Sequence, residues 1–275
     1  MRMVRKAFDA SSALRKVELT VVPKGSYPNR TNVRVDSDVD LAVVQRRFFF
    51  SERDGERSDL QAQLGYRRSF RYLDTDFRRE IEQALRARFG PDCDCTGKTA
   101  ITVSENSGRV SADVVPSYHL RRYSGSGWFE EYDGGLTTLR TDGQWIVNYP
   151  EQQLSRGRRK NFATLGQYKK LVRILKRIEN DLADNGTIAK LASYFIECLV
   201  YNVPSEEFAT FWLDPLTHNL RAVLAHIKDA TRTPNGCADW TEVNGIKPLF
   251  GSGQPWEPQH ARRLAAEAQR HFGLD

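Results

Sequence analysis

Hydrophobic and polar residues alternate along the first half of the chain in two different periods. In residues 17–22 apolar side chains fall on every second position, which is typical of a β-strand, and residues 38–44 form a second predicted strand. In residues 77–89 the apolar side chains recur every fourth position instead, which predicts an amphipathic helix. Gly90 and Pro91 end that helix.

Two hairpins are predicted next, and a helical region follows them. The strand pairs are 100–105 with 109–115, and 136–140 with 144–148, each joined by a short turn that contains glycine. After Pro150 the pattern predicts helices at about 164–182, 187–201, 205–230 and 258–272, with a loop rich in glycine and proline at 231–258. We therefore divide the chain into a mixed α/β domain, 1–150, and a helical domain, 151–275.

Composition sets limits on the class of protein. The 275 residues are enough for one or two cores, and the net charge of +6 suits a phosphate-rich partner without requiring one. No apolar run approaches the ~18 residues that cross a bilayer, and the basic first residues are not followed by the apolar segment of a secretory signal. We expect a cytoplasmic protein with no membrane partner. Cys93 and Cys95 lack a second close pair to complete a zinc site, so the four cysteines are interpreted as free thiols.

Three aspartates are the candidate catalytic residues. Asp38 and Asp40 are two apart on a predicted strand, so their side chains point to the same face. If the strand that contains Asp113 is a neighbour, three carboxylates converge, which suits Mg²⁺ or Mn²⁺ and an in-line phosphoryl displacement. Asp113 is then the candidate base for the attacking 3′-hydroxyl. A DxD pair by itself is more often a solvated turn or strand edge.

Gly25 and Ser26 end the first predicted strand. Glycine lets the backbone approach a phosphate, and the Ser26 hydroxyl and amide can donate hydrogen bonds to it. The pair has no value as a signal alone. It gains value because the DxD pair follows on the next predicted strand.

Several motifs together resemble the polymerase-beta-like nucleotidyltransferase superfamily. The resemblance is strongest to the bacterial cyclic-oligonucleotide synthases, relatives of the animal cyclic GMP–AMP synthase and of oligoadenylate synthases. It covers about residues 17–180. The matching motifs are Lys24-Gly25-Ser26-Tyr27, Thr31-Asn32, Asp36-Ser37-Asp38-Val39-Asp40-Leu41, Ala112-Asp113-Val114-Val115-Pro116, Asn148-Tyr149-Pro150-Glu151-Gln152-Gln153, Lys160-Asn161, Thr164, Tyr168-Lys169 and Val172-Arg173-Ile174-Leu175-Lys176.

The resemblance implies a fold and an activity. The fold would be α+β, a mixed-sheet nucleotidyltransferase core with flanking helices followed by a C-terminal helical domain like that of oligoadenylate synthases, with the active site in the cleft between them. The substrates would be ATP and other nucleoside triphosphates with Mg²⁺ or Mn²⁺, and the product a cyclic di- or trinucleotide. Such products are second messengers that activate a separate effector in antiphage defence, and an activator protein or ligand can be required.

The chain departs from the family in two ways. Most of the long N-terminal spine helix is missing. The zinc-binding insertion of the animal enzyme is also missing, so direct DNA sensing is not expected.

Residues 155–177 contain nine Lys or Arg and no Asp or Glu, and a nearby anion would relieve their repulsion. We expect Lys169 and Lys170 to contact the donor triphosphate. Helical phase places Lys169, Arg173 and Lys176 on one face and Leu165, Val172 and Leu175 on the core face.

Two further residues are candidates for contact with a base. The Asn148 amide could recognise a base edge, although an Asn in a turn is the commoner case. Tyr168 could stack on a base or lie in the core.

Two rival functions keep the same fold. One transfers single nucleotides to an RNA or protein acceptor, so that the product stays attached to a macromolecule. The other is a non-catalytic RNA- or protein-binding module, which three clustered carboxylates disfavour.

Overall fold

The computed structural model describes residues 1–33, 38–53, 75–123, 131–208 and 215–274. The chain forms two compact units, Met1–Pro28 with Asp36–Pro150, and Asn29–Val35 with Glu151–Asp275. The first unit contains a mixed seven-stranded sheet with helices, and the second is helical. The predicted α+β class is confirmed.

The first unit is built on two central parallel strands. The helices are α1 (Arg2–Ala10), α2 (Ser26–Asn29) and α3 (Thr75–Phe89), and the strands are β1 (Leu19–Pro23), β2 (Val39–Arg53), β3 (Cys93–Asp94), β4 (Ile101–Val103), β5 (Ala112–Tyr123), β6 (Tyr132–Leu139) and β7 (Trp145–Asn148). The sheet has the order β1-β2-β5-β4-β3; β6 also pairs with β5, and β7 pairs with β6. Strands β2 and β5 are parallel and the other pairs are antiparallel.

The apolar side of helix α3 packs against this sheet and covers it. Phe77, Ile81 and Leu85, the every-fourth positions of the sequence pattern, are fully buried. The Phe77 ring lies 5.5 Å from the ring of Tyr118 on β5. Burial of large side chains on this face stabilises the strand pair β2–β5 in its register.

The second unit consists of helices around one apolar core. They are α4 (Pro150–Ala163), α5 (Gln167–Asp184), α6 (Ser193–Asn202), α7 (Pro215–Ala230) and α8 (Pro258–Phe272). Leu171, Leu175, Phe195 and Leu199 are fully buried within that core.

A buried ionic network lies within this second unit. The carboxylate of Glu197 accepts hydrogen bonds from Thr31 Oγ1 at 2.8 Å and from Gln153 Nε2 at 3.1 Å. Lys176 Nζ donates to the Thr31 carbonyl oxygen at 3.1 Å and lies 3.8 Å from Glu197. Both charged side chains are 3% exposed, so each compensates the other away from water.

The observed elements differ from the predicted ones where apolar periodicity is weak. The pattern predicts neither α1 nor α4; α4 has only a few apolar positions among polar and charged residues. Helix α6 begins at Ser193 instead of 187. The predicted helix at 205–230 is α7 from Pro215, preceded by a short turn at Ser205–Glu207, and residues 209–214 lie outside the described ranges. Within the described ranges, no helix has the length and apolar character that a membrane span needs.

Candidate active site

Strand pairing brings two of the three candidate carboxylates together. In the parallel pair β2–β5, Asp40 lies directly opposite Asp113. The Val39 amide donates to the Ser111 carbonyl oxygen at 3.0 Å and fixes this register at the start of both strands. Both aspartate side chains are partly buried. Two acidic groups at directly paired positions repel each other, so the site favours a cation nearby.

Gly25, which follows β1, lies next to the Asp40 side chain. Its φ is +72°, and a Cβ atom built at this position would lie 2.1 Å from Asp40 Oδ2. Any side chain here would therefore be strained and would also displace the carboxylate. The glycine of the sequence motif thus has a second role besides phosphate approach, since it leaves space for Asp40. Ser26 begins α2 and is partly buried.

Lys24 is a neighbour of the carboxylates to which the sequence analysis gave no role. Its amide donates to the Asp40 carbonyl oxygen at 2.9 Å, which aligns the backbone of the two residues. Burial lowers the pKa of Lys24, and the charges of Asp40 and Asp113 raise it. Burial raises the pKa of Asp40, the Lys24 ammonium lowers it, and Asp113 and Asp38 raise it further. The lysine is therefore a partial counter-charge for the carboxylate pair.

Thr102 is the second residue that the sequence analysis missed. It lies on β4 directly opposite Asp113, and its hydroxyl donates to Asp113 Oδ1 at 2.7 Å. This hydrogen bond fixes one oxygen of the carboxylate and leaves the other for a ligand or a proton. The signal is weak in the sequence, because a threonine on a strand is ordinary and its partner lies eleven positions away.

Asp38, the third predicted carboxylate, lies just before β2, which begins at Val39. It is exposed, and its charge raises the pKa of Asp40. Among the described residues, no group of three or more His, Cys, Asp or Glu side chains is arranged to hold a metal ion. Asp40 and Asp113 still have the hard oxygen donors that Mg²⁺ or Mn²⁺ prefers, in a pair that is short of positive charge.

Comparison with known proteins identifies the family. The family model of the cGAS/DncV-like nucleotidyltransferase C-terminal helical domain matches residues 155–273. The chain is 36% identical to a cyclic dipyrimidine nucleotide synthase of Legionella pneumophila, over 97% of this chain and 88% of that protein. It is 34% identical to a cyclic dipyrimidine nucleotide synthase of Cecembia lonarensis, over 93% of this chain and 84% of that protein. This chain belongs to the cGAS/DncV-like nucleotidyltransferases.

A solved structure supports the same assignment of fold. The CdnE cyclic dinucleotide synthase of Elizabethkingia meningoseptica, determined with GTP and Apcpp, matches with a TM-score of 0.79 and 32% identity. The match covers 99% of this chain and 90% of that one. The nucleotidyltransferase fold inferred from the Gly-Ser and DxD motifs is therefore confirmed.

The predicted nucleotide contacts of this nucleotidyltransferase differ in their accessibility. Lys170 and Asn148 are exposed, and Lys169 is partly buried. Burial lowers the pKa of Lys169, Glu197 raises it, and Arg158, Arg30 and Arg173 lower it. Lys169 thus lies in a cationic group to which an anion would be attracted.

The position of Tyr168 decides between its two predicted roles, stacking on a base and packing in the core. Its side chain is 0% exposed and lies in the core of the helical unit, so it cannot stack on a base. The core role that the sequence left open is the observed one.

Helical phase also misplaces two neighbours of Lys169. Lys176 does not share an exposed basic face, because it is buried against Thr31 and Glu197. Leu165 is 67% exposed instead of in the core. It precedes α5, which begins at Gln167, and has a φ of +47°.

Proposed function

We propose that this nucleotidyltransferase joins nucleoside triphosphates into a cyclic di- or trinucleotide and releases pyrophosphate. The observation that carries the proposal is the paired position of Asp40 and Asp113, with Gly25 leaving space for the Asp40 carboxylate. The relatives named as cyclic dinucleotide synthases, which align over most of both chains, support the cyclic product.

The proposed reaction is one displacement performed repeatedly. A ribose hydroxyl attacks the α-phosphorus of a second triphosphate; the new P–O bond forms as the bond to pyrophosphate breaks. Asp113, oriented by Thr102, accepts the hydroxyl proton, and the Lys24 ammonium favours the ionised form of Asp40. Mg²⁺ or Mn²⁺ held by Asp40, Asp113 and Asp38 would supply the charge neutralisation that a triphosphate and its leaving group need.

The proposed substrate contacts are those with suitable exposure. Lys169 and Lys170 bind the triphosphate, because Lys169 already lies among arginines that an anion would neutralise. Asn148 is the proposed base contact, since its side chain at the end of β7 is exposed. We further propose that the cyclic product is a second messenger for a separate effector in antiphage defence.

The decisive experiment is a product assay. Pure protein is incubated with four labelled nucleoside triphosphates and Mg²⁺ or Mn²⁺, treated with phosphatase, and analysed by mass spectrometry. We expect a small phosphatase-resistant cyclic product. The Asp38→Asn/Asp40→Asn double variant and Asp113→Asn should each abolish it, whereas Asp9→Asn, which changes an exposed aspartate on α1, should not.

The rival functions give different results in the same assay. Label that appears only on macromolecules after cell lysate is added would indicate transfer to an RNA or protein acceptor. A small product that appears only with lysate would indicate a required activator. Full biological activity of the Asp38→Asn/Asp40→Asn variant would contradict the proposed catalysis and favour a non-catalytic binding module.

A further inference from the structure

Cys93 and Cys95 form a close pair of thiols that the proposed reaction does not use. Their sulfur atoms are 3.8 Å apart at the end of β3. Cys93 is buried and Cys95 is partly exposed. Cys198 and Cys237 are also free thiols, but both are buried. The pair therefore combines one accessible sulfur with a second sulfur that can reach it.

Arg86 makes the two thiols chemically different. Its Nε–H donates a hydrogen bond to Cys95 Sγ at 3.2 Å. This contact places a positive charge beside the accessible sulfur of the pair. Burial raises the pKa of Cys93, and its hydrogen bond with Cys95 raises it further, so Cys93 stays a thiol. An accessible sulfur next to a second cysteine that can resolve a mixed disulfide is the arrangement of redox-sensitive sites.

We propose that small-molecule disulfides such as oxidised glutathione oxidise Cys93 and Cys95 to a reversible disulfide between these two residues. Formation of this disulfide slows nucleotidyl transfer. Cys95 loses its proton to solvent and attacks one sulfur of the oxidant, which forms a mixed disulfide and releases one glutathione thiolate. Cys93 then loses its proton to solvent and attacks Cys95 Sγ, which releases the second thiolate. Two protein thiols are oxidised and one glutathione disulfide is reduced.

The sheet connects this pair to the carboxylate site. Strand β3 pairs with β4, and Asp94, between the two cysteines, lies opposite Thr102. The Thr102 hydroxyl holds Asp113. Disulfide formation shortens the sulfur separation to about 2 Å, and the backbone around Asp94 must adjust to allow it. The adjustment moves Thr102 and with it Asp113. This effect on the rate rests on the proposed function.

The disulfide itself is tested by mass spectrometry, independently of activity. We expect wild type treated with oxidised glutathione to contain a Cys93–Cys95 disulfide, with Cys198 and Cys237 still reduced. Cys93→Ser should trap a glutathione adduct on Cys95. Arg86→Gln should slow modification about threefold, because it removes the positive charge beside the attacking sulfur. Arg88→Gln, an exposed arginine on the same helix, is the matched control.

Two results would contradict the proposal that Cys93 and Cys95 form a disulfide. One is modification of Cys95 no faster than that of buried Cys237. The other is a glutathione adduct that persists on Cys95 in the wild type, because Cys93 would then not act as the resolving thiol.

The coupling to catalysis is tested on the same samples. We expect oxidation to lower wild-type turnover about tenfold, because small displacements of catalytic groups have large effects on rate, and we expect a reductant to restore it. Cys95→Ser should have the turnover of reduced wild type, and the oxidant should not change that turnover. A complete disulfide with unchanged turnover would overturn the coupling. An inactive reduced protein would instead contradict the proposed function, while the mass measurement would still decide the disulfide.

Discussion

At the scale of single residues, Gly25 combines two constraints that a pair of variants can separate. Gly25 and Gly143 both have positive φ, +72° and +84°, but only at Gly25 would a Cβ atom meet Asp40; at Gly143 nothing lies within 4 Å. Alanine at either position should therefore cost about 1–2 kcal/mol of stability through backbone strain. Only Gly25→Ala should also lower turnover, by tenfold or more as a rough estimate, because it displaces the carboxylate.

Urea unfolding and initial rates on both variants check this. Equal losses of turnover in Gly25→Ala and Gly143→Ala would show that the loss follows stability and that Gly25 has no specific role at the carboxylate.

Thr102 gives a second prediction at this scale. Thr102→Val keeps the shape of the side chain and removes the hydrogen bond to Asp113 Oδ1. A hydrogen bond to a charged group is worth about 1.5–3 kcal/mol, so kcat should fall about tenfold or more while KM stays near its wild-type value. Steady-state kinetics provide the measurement. Thr102→Ser restores the hydroxyl and should recover most of kcat; equal defects in the two variants would argue that Thr102 acts only through packing.

At the scale of elements, helix α5 places consecutive residues in very different environments. Tyr168 is 0% exposed, and within the described part of the chain its hydroxyl has no hydrogen-bond partner. Tyr168→Phe should therefore leave stability unchanged or raise it by up to about 1 kcal/mol, and should leave nucleotide affinity unchanged. Thermal unfolding and titration with a non-hydrolysable triphosphate measure both. A marked loss of affinity in Tyr168→Phe would return the residue to the binding site.

The next residues on α5, Lys169 and Lys170, are the proposed triphosphate contacts. Lys169→Ala should weaken binding of a non-hydrolysable triphosphate about tenfold, the effect of losing roughly 1.4 kcal/mol of a charge-assisted contact. Lys170→Ala should have a smaller effect, since Lys170 is exposed, whereas Lys169 is partly buried among arginines. Binding measured at two salt concentrations would show the charge dependence. Unchanged affinity in Lys169→Ala would remove it from the proposed contacts.

Elements with strong local patterns were predictable from the sequence, and elements held by distant contacts were not. Helix α3 and the β6–β7 hairpin follow from apolar spacing and a glycine turn, and the observed bounds of α8 match the predicted 258–272. Helix α4 has too few apolar positions for its period to be detected. Helical phase alone groups Lys176 with Lys169, but the partners of Lys176, Thr31 and Glu197, are 145 and 21 positions away in sequence and cannot be inferred from local spacing.

The same limit applies to the candidate site. A shared strand face and a DxD pair predict that Asp40 meets Asp113 only if their strands are neighbours, and the observed pairing of β2 with β5 meets that condition. The roles of Lys24 and Thr102 depend on which strand lies beside which, and the sequence pattern does not specify that order. Asp38 lies one residue before the observed start of β2, whereas the sequence pattern makes it the first residue of that strand.

At the scale of the whole molecule, the Glu197 network ties four separate stretches of chain into the second unit. Residues 31, 153, 176 and 197 contribute to it, and residue 31 reaches this unit from the segment Asn29–Val35. Loss of one charge leaves the other buried without compensation. Lys176→Met should therefore destabilise the full chain by about 3–5 kcal/mol, and Glu197→Gln by a similar amount.

The double variant decides whether the two residues act as a pair. Because Lys176→Met/Glu197→Gln removes both buried charges, it should recover about half or more of the summed loss, as expected for residues in direct contact. Urea unfolding followed by circular dichroism measures the four proteins of this cycle. Lys190→Met is the matched control, since it removes an exposed lysine whose partner Glu179 also accepts a hydrogen bond from the Leu191 amide and so keeps a donor. Additive losses in the double variant would mean that Lys176 and Glu197 stabilise the unit separately, through their contacts to Thr31 and Gln153 and not through each other.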